Sequence, residues 1–574
     1  MTTIIHKSTF PDIELFQGSI TDFIRTGAYA EDDYKPCMID AETGEQLTQK
    51  QILDCADQFR SLLYQHGVQK TPNRDERIGD VVIPFIDNNI YLPAIHYACL
   101  ELGCCMNPAS TQQTPLELSK QIRVTDPKVI IYQRKYRKTV MHAIDLVCYT
   151  NFPIVIEFET MLFLRNSVPP PPKKAKFHIT STEQARKRIA YLGMSSGTSG
   201  KSKAVRLSHH NIVACSQVSQ VTFPALYKAS NVCVAVLPSC HVFGLYIFFM
   251  VLPRSGGTTI MHTKFDLKQL LESQKKYKAN FLPLVPPIAV QLAKNPMVKN
   301  YADSLKQVKL IMSAAAPLGA EVTQSLIKAI GPQVRVVQGY GMTETSPCVT
   351  LFDPADPHLH IKACGKLVPN CEVRIVADGV DQPAYSGSVS DVAKNKTDNL
   401  PVGEIWVRGP QVMDGYHKNK SATSEAFVEA NDSSVCYNTK WLRTGDVGLV
   451  DSLGRFMIVD RTKEMIKSMS KQVAPAELED MLLAHADVSD AAVIGVENEA
   501  KGTEQIRAFL VLKKGGDALE VKKWMDSKLP KYKQLHGGVV VIDQIPKSQA
   551  GKILRRMLRL RQDDVVLGTD QAKL

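Results

Sequence analysis

The 574-residue chain has no apolar run long enough to cross a membrane. Its longest, Val242–Leu252 (VFGLYIFFMVL), falls well short of the ~20 residues a spanning helix needs and reads as a buried helix. The N-terminus MTTIIHKSTF has no extended apolar core, so a secretory signal is not expected. There are 13 cysteines but no CxxC pair, which argues against zinc sites and a disulfide framework and for a reducing intracellular compartment. No repeat of solenoid period is present. The net charge is +11, yet no Lys/Arg block is long enough to favour nucleic acid. The densest stretches, KKAK at Lys173–Lys176 and LRRMLRLR at Leu554–Arg561, read as a solvated loop and helix face. A basic surface also suits small anionic ligands.

With 44% hydrophobic and 22% charged residues, the chain is globular, and its length leaves room for several domains at ~150 residues each. Helices are expected at Gln51–His66 and Tyr91–Leu102, the latter stopped by Gly103 before the Asn107-Pro108 turn. A short strand is expected at Val81–Ile83, limited by Pro84. Pro169–Lys176 reads as an extended spacer. From Arg188 onward strands, loops and helices alternate, with strands at Asn231–Leu237, Lys309–Met312 and Val334–Val337. This is an α/β pattern with mainly parallel sheets, in which ligands meet the loops beyond the strand ends, here after Gly193, Met312 and Val337. Asp378–Leu400 reads as a polar surface insertion, and Gly403–Val459 as β-rich. The remainder, with a helix from Pro475, strands at Ala492–Val496 and Arg507–Leu512, a helix at Leu519–Lys528 and a strand at Val539–Asp543, reads as a small α+β domain. The expected division is 1–459, a large multi-subdomain part, and 460–574, small and mobile.

Met194–His209 (MSSGTSGKSKAVRLSH) contains Gly-Lys-Ser, the end of a Walker A loop. The spacing fails. G-x-x-x-x-G-K-[ST] requires a glycine at position 195, which is Ser195, and Gly197 is too close. A P-loop kinase or NTPase is therefore excluded. The chemistry for phosphate remains: hydroxyls on Ser195, Ser196, Thr198 and Ser199, close approach at Gly197 and Gly200, and charge on Lys201 and Lys203.

Five further stretches accompany it: LPSCHVFGL with His241, SAAAPLG at Ser313–Gly319, QGYGMTETSP at Gln338–Pro347, WLRTGDVG with Asp446 ahead of Arg461 in DRTKEMIKSMSKQVAP, and IPKSQAGKILRR with Lys552. Together with SSGTSGKSKAVRLSHHN, where His209 and Asn211 match the tail, they resemble, in order, the motifs of the adenylate-forming superfamily, best its 4-coumarate–CoA ligase and luciferase-like branch. The resemblance runs from about Asn89 to Arg559.

It implies an acid–thiol ligase: ATP activates a carboxylic acid to acyl-AMP with Mg²⁺, and CoA then takes the acyl group. By resemblance Ser195–Gly200 and Lys203 hold phosphates, Gln338, Gly339, Tyr340 and Gly341 form the adenine turn, Thr343 meets the α-phosphate and Glu344 binds Mg²⁺. One or two carboxylate oxygens are what a hard cation bridging phosphates wants. Asp446 and Arg461 meet the ribose. His241, Phe243, Ala314 and Ala315 line the acyl pocket, and His241, Thr343, Glu344 and Lys552 are the catalytic set. Lys552, expected at a helix start, offsets the repulsion between an attacking carboxylate and a phosphate. Asp460 is the hinge that exchanges Lys552 for the thioester-stage residues Lys467, Ser470 and Gln472. Relatives read IKYKGFQVAP where this chain reads IKSMSKQVAP, so Met469 and Ser470 replace a Lys-Gly pair, and adenylation is better specified than thioester formation. Another acceptor, through luciferase-like oxidation or transfer to an amine or carrier, stays open at this point, as does a non-catalytic nucleotide binder, against which Glu344 and Lys552 argue. The terminal Ala572-Lys573-Leu574 is close to the Ser-Lys-Leu peroxisomal address, so an import receptor is an expected partner and the peroxisome, otherwise the cytoplasm, the expected location.

Overall fold

A computed structural model describes residues 3–68, 77–147, 152–167, 169, 176–196, 202–357, 359–386, 400–430, 440–469, 471–498, 503–548, 551–561 and 564–569. Two sheets of seven strands form the centre of the larger part. One runs, in spatial order, Arg335–Gln338, Leu310–Ser313, Phe281–Leu284, Val232–Ala235, Thr258–Met261, Pro36–Asp40 and Gln46–Thr48, parallel except for the last pair. The other runs Gly415–Tyr416, Ser202–Ser208, Ile189–Ser196, Cys105–Met106, Val81–Phe85, Val129–Tyr132 and Ile154–Glu157. Strands such as Phe281–Leu284 and Val129–Tyr132 are buried at every position. Unbroken apolar strands of this kind follow from parallel sheets covered on both faces.

A third, antiparallel sheet of nine strands carries Gly403–Arg408, Lys440–Val450 and Arg455–Arg461. The polar insertion begins as a tight hairpin, with Asp378 and Gly379 both at positive φ between strands Glu372–Ala377 and Val380–Asp381; 387–399 lie outside the described residues. The end of the chain adds the helix Pro475–Ala484 and a sheet of Val488–Asn498, Thr503–Leu512 and Val539–Val541, whose apolar clusters are separate from the main core.

Three expectations need correction. Pro84 does not end its strand, which runs Val81–Phe85. Its carbonyl still accepts from Ala109 N–H at 3.2 Å, it stays in register with Ile131 on the other side, and Gln121 Nε2, at 3.5 Å, meets the Asn107 carbonyl that its missing N–H would face. The Ser/Gly loop does not lead from a strand into a helix. Ile189–Ser196 returns as the antiparallel strand Ser202–Ser208, with Ser195 opposite Lys203, and only then does the helix His209–Thr222 begin, capped by Ser208 and Asn211. Lys552 is not at a helix start: the helix is Arg555–Arg559, and Lys552 sits ahead of it, in a loop closed by the Lys547–Ile553 bridge.

The apolar run after His241 is buried, as a helix interrupted by a wide turn: Val242–Tyr246, Ile247–Val251, then Leu252–Ser255. Pro253 has no N–H for the Phe249 carbonyl four residues back, and the Tyr97 hydroxyl donates to it instead at 2.6 Å. Among the described residues no helix is long and apolar enough to cross a membrane.

Candidate active site

The hairpin Ile189–Ser196/Ser202–Ser208 delivers Ser195 to the turn that follows strand Arg335–Gln338. Ser195 Oγ donates to Glu344 Oε1 at 2.9 Å, and the Tyr416 hydroxyl donates to the same oxygen at 3.0 Å. Glu344 is buried, and both bonds converge on Oε1, with Oε2 carrying neither. Lys203 Nζ stands 4.7 Å over the Tyr416 ring, so the phosphate hairpin and Glu344 are braced by one aromatic side chain. The Gly193 position is tight: a Cβ there would lie 2.7 Å from Thr343 Cγ2. Residues 197–201, including Gly197, Thr198, Ser199 and Gly200, and the side chain of Ser196 lie outside the described residues.

Gly339 and Gly341 are required by close approach rather than by turn torsion, since neither has a positive φ. A Cβ on Gly341 would fall 1.6 Å from the Pro347 carbonyl oxygen. Gln338 uses its amide internally: it accepts from Leu318 N–H and donates to the Leu318 and Ile361 carbonyls, which fixes the end of the SAAAPLG turn. In that turn Ala314 is half-buried, and Ala315 is exposed with φ +74°, a left-handed conformation uncommon for a residue with a Cβ. His241 and Phe243 are half-buried at the start of helix Val242–Tyr246. Family-tail residues His209 and Asn211 are scaffold. His209 Nδ1 accepts from Ile20 N–H, and Asn211 Nδ2 donates to the Pro410 and Val412 carbonyls.

On the other wall, the Tyr340 hydroxyl donates to Asp446 Oδ2 at 2.9 Å, and Arg461 Nε lies 3.1 Å from Asp446 Oδ1. Burial raises the Asp446 carboxyl above the usual range, and the Arg461 guanidinium opposes that shift. Lys552 lies within electrostatic reach of this group. Burial first, and Arg461 second, bring its ammonium down to about 8, with Asp446 and Glu464 pulling the other way. Tyr340, Asp446, Arg461 and Lys552 therefore form one charged constellation.

Asp460, one residue before Arg461, accepts from its neighbour's N–H at 2.7 Å and, through Oδ2, from Ala476 N–H at 3.1 Å. It thereby caps the helix Pro475–Ala484, whose own N-cap, Ala474, offers no side-chain acceptor. Of the thioester-stage residues, Lys467 and Gln472 are exposed and pair with each other in the half-buried hairpin Ile466–Ser468/Lys471–Val473. Met469 turns that hairpin at φ +48°, and Ser470 lies outside the described residues.

Two family models match the chain, one described as AMP-binding enzyme over residues 28–417 and one as AMP-binding enzyme C-terminal domain over 477–552. The chain belongs to the AMP-binding enzyme family. It is 33% identical to a probable CoA ligase of Humulus lupulus, over 94% of this chain and 92% of that protein. It is also 33% identical to 4-coumarate–CoA ligase 1 of Petroselinum crispum, over 92% and 91%. ATP-bound MatB from Rhodopseudomonas palustris shares the fold at 23% identity, with a TM-score of 0.78, over 94% of this chain and 98% of that one. This AMP-binding enzyme is accordingly an adenylate-forming acid–thiol ligase that uses ATP and CoA as substrates.

Sequence reasoning missed Tyr416, which holds Glu344 and shelters Lys203. It lies in a two-residue strand, Gly415–Tyr416, at the edge of a sheet, and nothing local in DGYHKN distinguishes it from a surface tyrosine.

Proposed function

We propose that the constellation Tyr340–Asp446–Arg461–Lys552 holds the nucleotide of an activated carboxylic acid, and that the described conformation is the one that makes acyl-AMP. Supporting this is the burial of Asp446 between Tyr340 and Arg461 with Lys552 in reach. A half-charged pocket of this kind suits a ribose diol, for which a carboxylate is the natural acceptor. Tyr340, pinned through its hydroxyl, offers its ring to adenine. The Ser195–Lys203 hairpin takes the β- and γ-phosphates, and Thr343 faces the α-phosphate.

Among the described residues no three or more His, Cys, Asp or Glu cluster as metal ligands. That donor set fits Mg²⁺ carried in by ATP rather than a protein cage, with Glu344 as the single carboxylate that would hold it. Bound there, the ion would neutralise phosphate charge.

In the first half-reaction a carboxylate oxygen attacks the α-phosphorus and the bond to the β-phosphate oxygen breaks, releasing pyrophosphate. In this reading the Lys552 ammonium stabilises the charge developing at that centre. In the second, the CoA thiol loses its proton and attacks the acyl carbonyl, and AMP leaves. For that step Lys552 departs, and Lys467, Ser470 and Gln472 arrive by rotation of 460–574 about Asp460. The acid lies along His241, Phe243, Ala314 and Ala315. The tripeptide Ala572-Lys573-Leu574, outside the described residues, serves as a peroxisomal address.

A pyrophosphate-release screen over carboxylic acids, with 4-coumarate among the first because relatives are named for it, tests the reading when repeated with and without CoA. Thioester appearing only with CoA, after acyl-AMP, is expected. Pyrophosphate release with no acid dependence would contradict it.

A further inference from the structure

The part of the chain that carries Lys552 is gripped from the larger part at two places along one helix, Pro475–Ala484: its middle and its C-terminal end. In the middle of it, Asp480 reaches the N-terminus of helix Ala320–Ile330, whose N-cap residue, Gly319, has no side chain to cap it. The Ala320 N–H faces the Asp480 carboxylate and favours its charged form against the burial that opposes it. The approach is so close that a Cβ on Gly319 would fall 1.5 Å from Asp480 Oδ1. At its C-terminal end, Lys294, the last residue of helix Pro286–Lys294, donates through Nζ to the Leu483 carbonyl at 2.5 Å and the Val488 carbonyl at 3.3 Å. An acid at a helix N-terminus and a base at a helix C-terminus are each the favourable charge for that position.

Gly319 ends the SAAAPLG turn, so the first contact fastens the Lys552-bearing part directly to the loop whose Ala314 and Ala315 line the acyl pocket. A third contact adds to these: Gly551, next to Lys552, packs against Pro287, where a Cβ would lie 2.9 Å from Pro287 Cδ.

We infer that Asp480 and Lys294 are positioning residues that select the conformation with Lys552 at the nucleotide, acting through the placement of helix Pro475–Ala484 and touching no reacting atom. The grip is strong enough to bias the equilibrium and weak enough to release. Asp480 Oδ1 is buried without a hydrogen-bond partner, and Glu321 repels the carboxylate while Lys362 attracts it. An unpaired buried acceptor disfavours the closed arrangement, so the cap offsets a built-in penalty instead of locking the parts together.

The inference rests on the assignment of Lys552 to acyl-AMP formation, and its test separates the two. With the acid selected by the pyrophosphate screen, acyl-AMP formation and CoA capture of the pre-formed acyl-AMP are measured for Asp480→Ala, Asp480→Asn, Gly319→Ala, Lys294→Met and Lys552→Ala. Loss of one cap shifts such an equilibrium by about fivefold. Asp480→Ala, Gly319→Ala and Lys294→Met should each slow acyl-AMP formation on that scale and leave capture unchanged or faster. Asp480→Asn, which keeps an acceptor for Ala320 N–H, should restore the first half-reaction. Equal slowing of both halves would overturn the inference, as would no effect of Asp480→Ala while Lys552→Ala abolishes acyl-AMP. If Lys552→Ala itself spares acyl-AMP formation, the underlying assignment fails and the inference with it.

Discussion

Asp446 and Arg461 are register partners across the strands Lys440–Val450 and Arg455–Arg461, with Arg461 Nε 3.1 Å from Asp446 Oδ1. The backbone ladder, not a flexible loop, thus fixes the charge pair proposed to meet the ribose, and Tyr340 fills the other carboxylate oxygen. Removing the Tyr340 hydroxyl by Tyr340→Phe deletes one hydrogen bond to a charged group, worth about 1.5–3 kcal/mol. Part of this is lost already in the free enzyme, so KM for ATP should rise about tenfold or less. Asp446→Asn should raise it more, because Arg461 then loses its charge partner. Initial-rate kinetics in ATP check the order.

Gly193 and Thr343 make a second testable contact. A methyl at 193 has no room beside Thr343 Cγ2 at 2.7 Å. Gly193→Ala should displace Thr343 and lower acyl-AMP formation about tenfold, in line with ~1–3 kcal/mol for overpacking. Thr343→Ser in the same background removes Cγ2 and should recover most of that loss, a coupling measurable as a double-mutant cycle.

Glu344→Gln should leave the hydrogen bonds from Ser195 and Tyr416 in place, since an amide oxygen can accept both. It removes the charge, so acyl-AMP formation should fall about 100-fold or more at fixed Mg²⁺. Titration with Mg²⁺ should show a raised half-saturation. An unchanged Mg²⁺ dependence would remove Glu344 as the ion's holder.

Lys552 sets a pH limit. Its ammonium, lowered to about 8 chiefly by burial, carries the required charge below that pH and loses it above. For the free enzyme kcat/KM for ATP should therefore be flat below about 8 and fall with a slope approaching tenfold per pH unit above it. Lys552→Arg should be slower overall but lack that alkaline limb, because a guanidinium stays protonated throughout.

Much of this site was legible in the sequence because its chemistry sits in short contiguous runs. QGYGMTETSP, WLRTGDVG and the Lys552 segment are each contiguous, and Tyr340, Asp446, Arg461 and Lys552 come within contact or electrostatic reach of one another. Topology was less legible. A Ser/Gly/Lys run between two apolar stretches reads alike whether it joins strand to helix or strand to antiparallel strand, and only the pairing of Ser195 with Lys203 decides. Pro84 misled because one missing N–H does not end a strand that is held along its other edge by Val129–Tyr132, and a side chain, Gln121, meets the carbonyl it leaves. Tyr416 and Asp480 were invisible because their partners, Glu344 and Ala320, lie far away along the chain.

The hairpin Ile466–Ser468/Lys471–Val473 is anchored on its own part of the chain, with Met469 N–H donating to Thr503 Oγ1 at 3.0 Å and Lys471 Nζ 4.5 Å over the Tyr532 ring. Lys471→Ala should leave acyl-AMP formation within roughly twofold of wild type, as expected for an exposed cation–π contact of ~0.5–1 kcal/mol outside the adenylation site. Separate assay of the first half-reaction checks this.

The central claim is that one conformation, with Lys552 beside Asp446 and Arg461, makes acyl-AMP and a second makes the thioester. Lys552→Ala is its most direct test, with pyrophosphate release and CoA capture of pre-formed acyl-AMP measured separately. The account predicts that the first is abolished and the second survives near the wild-type rate. Loss of both to the same degree, or survival of the first, would contradict it.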